Sequence, residues 1–138
     1  MLEMTALHAA GFWSGLLILV LIVLSVRVVM TRRRQRVILG DGGDEVMIVA
    51  ARRFGNAAEY TPVAIGALVL LALIGWQAWI VHLIGSAFFL GRVVHPLGLA
   101  FGKGPPPARV IGMTLTWLPL LAAAVLLIAC PLVGMAPT

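Results

Sequence analysis

Four apolar stretches, each broken from the next by a short polar or glycine-rich segment, set the pattern of the chain. A helix crossing a bilayer needs ~20 mainly apolar residues at ~1.5 Å rise each, and every stretch reaches that length. The spans predicted are about 11–30, 46–74, 79–101 and 110–130, in one transmembrane domain covering 1–138. Leu39-Gly-Asp-Gly-Gly-Asp-Glu45 reads as a turn. Asp44 is placed to cap the second helix and Glu45 sits in its first turn, where the helix dipole favours an acid. Gly75-Trp76-Gln77 forms an uncharged turn with Trp76 and Trp79 suited to an interface belt, and Gly102-Lys-Gly-Pro-Pro-Pro107 breaks the third span from the fourth.

Composition turns this pattern into a class. Hydrophobic residues make up 62% of the 138 and charged ones 11%, against ~45–50% and ~25% in soluble domains. Mean hydropathy is +1.08. A soluble globule of this size has no interior large enough for so much apolar surface, and disorder requires low hydrophobicity. The expected fold class is therefore an all-α membrane protein, a four-transmembrane-helix bundle. One cysteine makes no internal disulfide, and no CxxC pair or cluster of metal ligands is present.

The net charge of +5 gains meaning from its distribution. Four spans put both termini on one side, and all the basic residues then fall on or near the other: Arg27, Arg32, Arg33, Arg34, Arg36, Arg52, Arg53, Arg92, Lys103 and Arg109. The positive-inside rule predicts a cytoplasmic basic face with both termini periplasmic or lumenal. The first span does not read as a cleavable leader, since Glu3 stands where a basic segment would be and the arginines follow it. The basic residues flank spans without an aromatic-basic stripe, so membrane lipid headgroups, and no nucleic acid, account for them.

Polar residues inside the spans carry the candidate chemistry. At ~100° per residue, Arg52, Asn56 and Glu59 share one face of the second helix, with Tyr60 at its edge and Pro62 just beyond. A charge at the centre of a membrane helix costs ~2.5–3.5 kcal/mol, so such residues face a partner or a polar cavity. One reading is an internal Arg52–Glu59 network; the other is a polar ligand bearing both signs of charge. On the third helix Arg92 and His95 are i, i+3 neighbours; Pro96 removes a backbone donor and Gly98 permits close approach. His82 reads as structural, and His8 lies in the outer tail. Arg109 opens the fourth helix, where a cation opposes the dipole. Cys130 should lie ~30 Å from Arg109 across the bilayer, so thiol chemistry at the basic end needs a thiol brought by a substrate. Arginines beside such a thiol favour its thiolate.

The run Arg52, Asn56, Glu59, Tyr60, Pro62 resembles the second-helix signature of the membrane-associated proteins in eicosanoid and glutathione metabolism (MAPEG). Gly91-Arg92, His95 and Gly98, then Arg109, Gly112 and Met113, and the Leu39–Gly42 turn resemble its bacterial branch. The resemblance implies a homotrimer with sites between subunits that open toward the cytoplasmic half. It implies that Arg52, Asn56, Glu59 and Tyr60 hold glutathione, with Glu59 on its amino group and Arg52 and Asn56 on its carboxylates and backbone. Arg32 or Arg33 and Arg92 add carboxylate or thiolate contacts, His95 stands where relatives carry a glutathione-contacting tyrosine, and Arg109 loosely matches the thiol-activating arginine. Phe54 and Leu99 replace polar side chains of relatives.

The expected function is a membrane-bound glutathione transferase, with peroxidase activity as a further property, in a bacterial inner membrane. Glutathione is a cosubstrate joined to a hydrophobic electrophile, or reducing a lipid hydroperoxide, in detoxification; the catalytic assignments are Arg109 and Arg92, and no metal is called for. The alternative is a non-catalytic lipid- or ligand-binding trimer. A drug/proton exporter using Glu59 fits poorly, because Arg52, Arg53 and Arg92 favour anions around it.

Overall fold

A computed structural model describes residues 5–99 and 106–133, the last three without their side chains. It is all helical there: α1 (Ala6–Gln35), α2 (Glu45–Leu73), α3 (Ala78–Leu97) and α4 (Pro107–Val133). Each is long and apolar enough to cross a membrane. The protein is an integral membrane four-helix bundle.

Local chemistry sets the ends. Thr5 caps α1 in a reciprocal box with His8: the Thr5 Oγ1 accepts from the His8 N–H at 3.3 Å, and the Thr5 N–H donates to the His8 ring at 3.4 Å. At the other end Arg36 takes the left-handed conformation, φ 54°, and the turn into α2 passes through Gly40, Gly42 and Gly43, all at positive φ. Only glycine enters that region at no steric cost. Asp44 then caps α2, its Oδ1 accepting from the Met47 N–H at 2.7 Å, as the sequence predicts. Helix α1 extends beyond 11–30 at both ends, because the Thr5 cap and the arginine-rich last turn continue the helix past the apolar run. Helix α3 stops at Leu97, short of the expected 101. Gly98 is its cap, and its N–H goes to the His95 and Pro96 carbonyls. Phe101 and Lys103 lie outside the described residues.

Two apolar layers hold the helices up-down-up-down. In the first, Ala9 and Ala10 near the start of α1 meet Leu68 and Leu71 near the end of α2, Val81 and Ile84 early in α3, and Ala123 late in α4. The second layer, nearer the arginine-rich end, packs Leu17, Ala64 and Phe88. Contacts join α1 to α2 and α3, and α4 to α2 and α3; α2 also touches α3, while among the described residues α1 and α4 do not meet. At the outer layer Trp13 Nε1 donates to His82 Nδ1 at 3.0 Å, and a Cβ on Gly85 would fall 2.4 Å from the Trp13 ring. His82 is thus a packing partner that pins α1 to α3.

Candidate functional site

The polar interior of the bundle is organised by Arg92. This side chain on α3 is only 1% exposed, and glycines bring α4 within its reach. A Cβ on Gly112 would lie 2.5 Å from the His95 Cα, and one on Gly91 would lie 2.9 Å from the Gly112 carbonyl oxygen. Across this close contact Arg92 Nη2 donates to Thr116 Oγ1 and, at 3.4 Å, to the Gly112 carbonyl. The Thr116 hydroxyl itself donates to that carbonyl at 2.7 Å. On the other side Arg92 Nη1 donates to Asn56 Oδ1 on α2 at 2.7 Å. The guanidinium carbon lies 5.5 Å from the Tyr60 ring centroid and 5.6 Å from that of Phe88, within cation–π range.

No carboxylate accompanies this buried cation: among the described residues Arg92 forms no ion pair. Hydrogen-bond acceptors and aromatic faces carry its charge instead, and its Nε is buried without a partner. His95, one turn on, is 3% exposed, and its Nδ1 is likewise buried and unpartnered. Tyr60 is tied to α4 by the Trp117 Nε1, which donates to its hydroxyl at 3.3 Å.

The second-helix stripe divides at this point. Asn56 and Tyr60 turn toward Arg92, whereas Arg52 and Glu59 are exposed. Neither Arg52 nor Glu59 has a hydrogen bond or ion pair among the described residues, so the internal Arg52–Glu59 network does not form within one subunit. The two charges stand on the outer face of α2 with the half-buried Asn56 between them. The Oδ1 of Asn56 is held from inside, which leaves its amide N–H donors for the stripe.

The remaining arginines divide by role. Arg32 Nη1 donates to the Gly40 carbonyl at 2.8 Å and closes the α1–α2 turn. Arg33 is exposed. Arg109 is exposed in the first turn of α4, and its backbone is packed so closely on α3 that a Cβ on Gly98 would lie 2.3 Å from its nitrogen. Arg53 donates from Nε to the Leu99 carbonyl at 3.1 Å, with Nη2 on the same oxygen, and fastens the end of α3 to α2.

Arg92, Asn56, Tyr60 and His95 are therefore brought together. Arg52 and Glu59 adjoin them on the outside, and Arg32 and Arg33 remain at the end of α1. Thr116 and Trp117 complete the cluster without a signal in the sequence, since one threonine or tryptophan in an apolar helix is ordinary. The i, i+4 spacing of Gly112 and Thr116, one glycine backed by one hydroxyl, is the only trace of it.

The model of the MAPEG family matches residues 10–129. The chain is also 36% identical over 112 residues to "Inner membrane protein YecN" of Escherichia coli strain K12, an alignment covering 81% of this chain and 84% of the relative. The protein of the same name from Escherichia coli O6:H1 matches equally. No solved structure matches the chain.

Proposed function

The chain belongs to the MAPEG family, and on that basis we propose that it is an inner-membrane glutathione transferase that joins the glutathione thiolate to lipophilic electrophiles at subunit interfaces. Family membership supports a membrane-associated role connected with glutathione or eicosanoids. The observation that carries the finer reading is the outer stripe of α2. There Arg52 and Glu59, neither with a hydrogen bond or ion pair among the described residues, flank an Asn56 whose carbonyl is already held by Arg92. Glutathione has carboxylates for Arg52, an amino group for Glu59 and a peptide backbone for the Asn56 amide.

In this reading Arg92 is a positioning residue. Both its Nη atoms are engaged inside the subunit, where they orient Asn56 and place a positive charge beneath Tyr60. Arg109, exposed and without a side-chain partner among the described residues, stabilises the thiolate, with Arg32 or Arg33 of a neighbouring copy completing the carboxylate contacts and His95 lining the inner wall. The thiol proton passes to water, the sulfur forms a bond to the electrophilic carbon, and the leaving group departs with its electron pair. With a lipid hydroperoxide, two thiols give one disulfide, an alcohol and water. Holding both reactants in one interfacial site supplies much of the acceleration. The basic end faces the cytoplasm, both termini face the periplasm, and three copies assemble around α2.

The test is a glutathione titration of the detergent-purified protein, following thiolate absorbance in the ultraviolet near neutral pH. A saturable signal lost in Arg52→Ala and in Glu59→Ala is expected. Binding without thiolate points to the non-catalytic ligand-binding trimer, which the internal commitment of both Arg92 Nη atoms favours. No binding removes the transferase reading.

A further inference from the structure

A cleft of about 340 Å³ opens between α1 and α2 at the arginine-rich end. It lies outside the Arg92 cluster and shares no residue with the stripe of Arg52, Asn56 and Glu59. Arg27, Arg34 and Arg53 line it with Thr31, and Leu24 and Met30 supply apolar wall. Arg27 and Arg53 are near enough for their charges to repel. Among the described residues no acidic one lines the cleft, and neither Arg27 nor Arg34 has a hydrogen bond or ion pair.

Three guanidiniums converging on one hollow store repulsion that an anion relieves. The forks of Arg27 and Arg34 match the oxygens of a phosphate better than a point charge does; Arg53, held on the Leu99 carbonyl through Nε and Nη2, adds its charge and its Nη1, and the Thr31 hydroxyl offers one more donor. The setting decides which phosphate. From Arg27 to Arg34 the helix rises ~10 Å, the depth over which a bilayer passes from acyl chain to headgroup. Leu24 lies one turn below Arg27, on the hydrocarbon side. Basic hollows between membrane helices on the cytoplasmic side are suited to anionic lipid headgroups.

We infer that the α1–α2 cleft is a binding site for an anionic phospholipid, its phosphate held among Arg27, Arg34, Arg53 and Thr31 and an acyl chain lying over Leu24. The lipid seats in a groove within a single subunit, separate from the thiol stripe. The arginines that serve as a topology signal thus also select the lipid beside the protein.

Native mass spectrometry of the full chain released from detergent, with phosphatidylglycerol or phosphatidylcholine added, tests this. The wild type should retain phosphatidylglycerol in preference to phosphatidylcholine. Arg27→Gln and Arg34→Gln should each weaken retention on the order of tenfold, and Arg27→Lys should fall between, having the charge without the fork. Arg36→Gln, an equal loss of charge outside the cleft, should change retention less than about twofold. Circular dichroism checks that each variant is folded. Equal weakening by Arg36→Gln would reduce the effect to diffuse surface potential and overturn the site. Displacement of the lipid by millimolar inorganic phosphate would make this a free-phosphate site, and displacement by glutathione would make it part of the thiol site; either result overturns the lipid assignment. A chain that binds no glutathione but retains phosphatidylglycerol through Arg27 and Arg34 leaves this inference standing while the transferase reading falls.

Discussion

Asn56 is the residue on which the interior and the outer stripe meet. Its carbonyl accepts from the buried Arg92, and its amide donors are left for the charges on the outside of α2. Asn56→Ala removes both, and leaving a buried guanidinium short of an acceptor costs about 1–3 kcal/mol. Asn56→Asp separates the roles: the carboxylate supplies Arg92 with an acceptor and a counter-charge, but the amide donors are gone. Glutathione titration should therefore fail in both variants, while thermal unfolding in detergent should be lowered only in Asn56→Ala. A second residue-scale test concerns His82, whose Nδ1 accepts from the Trp13 indole at 3.0 Å. His82→Phe keeps the bulk and orphans the indole N–H, so it should lower the unfolding temperature and leave glutathione binding intact. At this scale the sequence singles out Arg52, Asn56, Glu59 and Arg92 but not how they pair. Arg52, Asn56 and Glu59 are legible as one stripe from their spacing. That Asn56 turns inward to Arg92 depends on how far α2 is rotated about its axis, which helical periodicity alone leaves open.

Among the elements, the α3–α4 contact decides whether Arg92 can be satisfied. Gly91 and Gly112 let the two backbones close until Thr116 meets the guanidinium, and Gly98 seats the start of α4 against the end of α3. Gly112→Val forces the side chain against the His95 backbone, which cannot yield as a flexible side-chain tip would. Overpacking of this kind costs about 1–3 kcal/mol, and separating the helices also strips Arg92 of two acceptors. The expected result is a lower unfolding temperature together with loss of the glutathione signal. The same substitution at Gly11, where a Cβ meets nothing within 4 Å, should do neither. Helix number, the Asp44 cap and the glycine turn before α2 are all readable from hydropathy and local turn chemistry. The end of α3 is less so: the run beyond Pro96 stays apolar, and only the structure shows Gly98 ending the helix there. Thr116 stays hidden for a related reason, since its role comes from the glycine opposite it and not from its own neighbours in sequence.

For the molecule as a whole, the exposed face of α2 does not fit a lone subunit in lipid. Arg52, Glu59, Val63, Gly66 and Leu70 lie along one side of the helix and are all exposed, with Glu59 near its middle. A carboxylate turned toward acyl chains at that depth costs ~2.5–3.5 kcal/mol, while the same group between subunits finds donors and water. Another copy against this face would satisfy the stripe, the arrangement the proposed interfacial site requires. Gly66 tests this cleanly. A Cβ there meets nothing within 4 Å in the single chain, so Gly66→Trp should leave the subunit folded, with unchanged helical circular dichroism. If α2 faces a second copy, the indole blocks the approach: light scattering in detergent should show a smaller particle, and the glutathione signal should disappear with it. Retention of the wild-type particle mass in Gly66→Trp would take α2 out of the interface. A small particle that still binds glutathione would place the whole site within one subunit, and Arg109 would then have to serve the thiol from the same chain that holds the stripe.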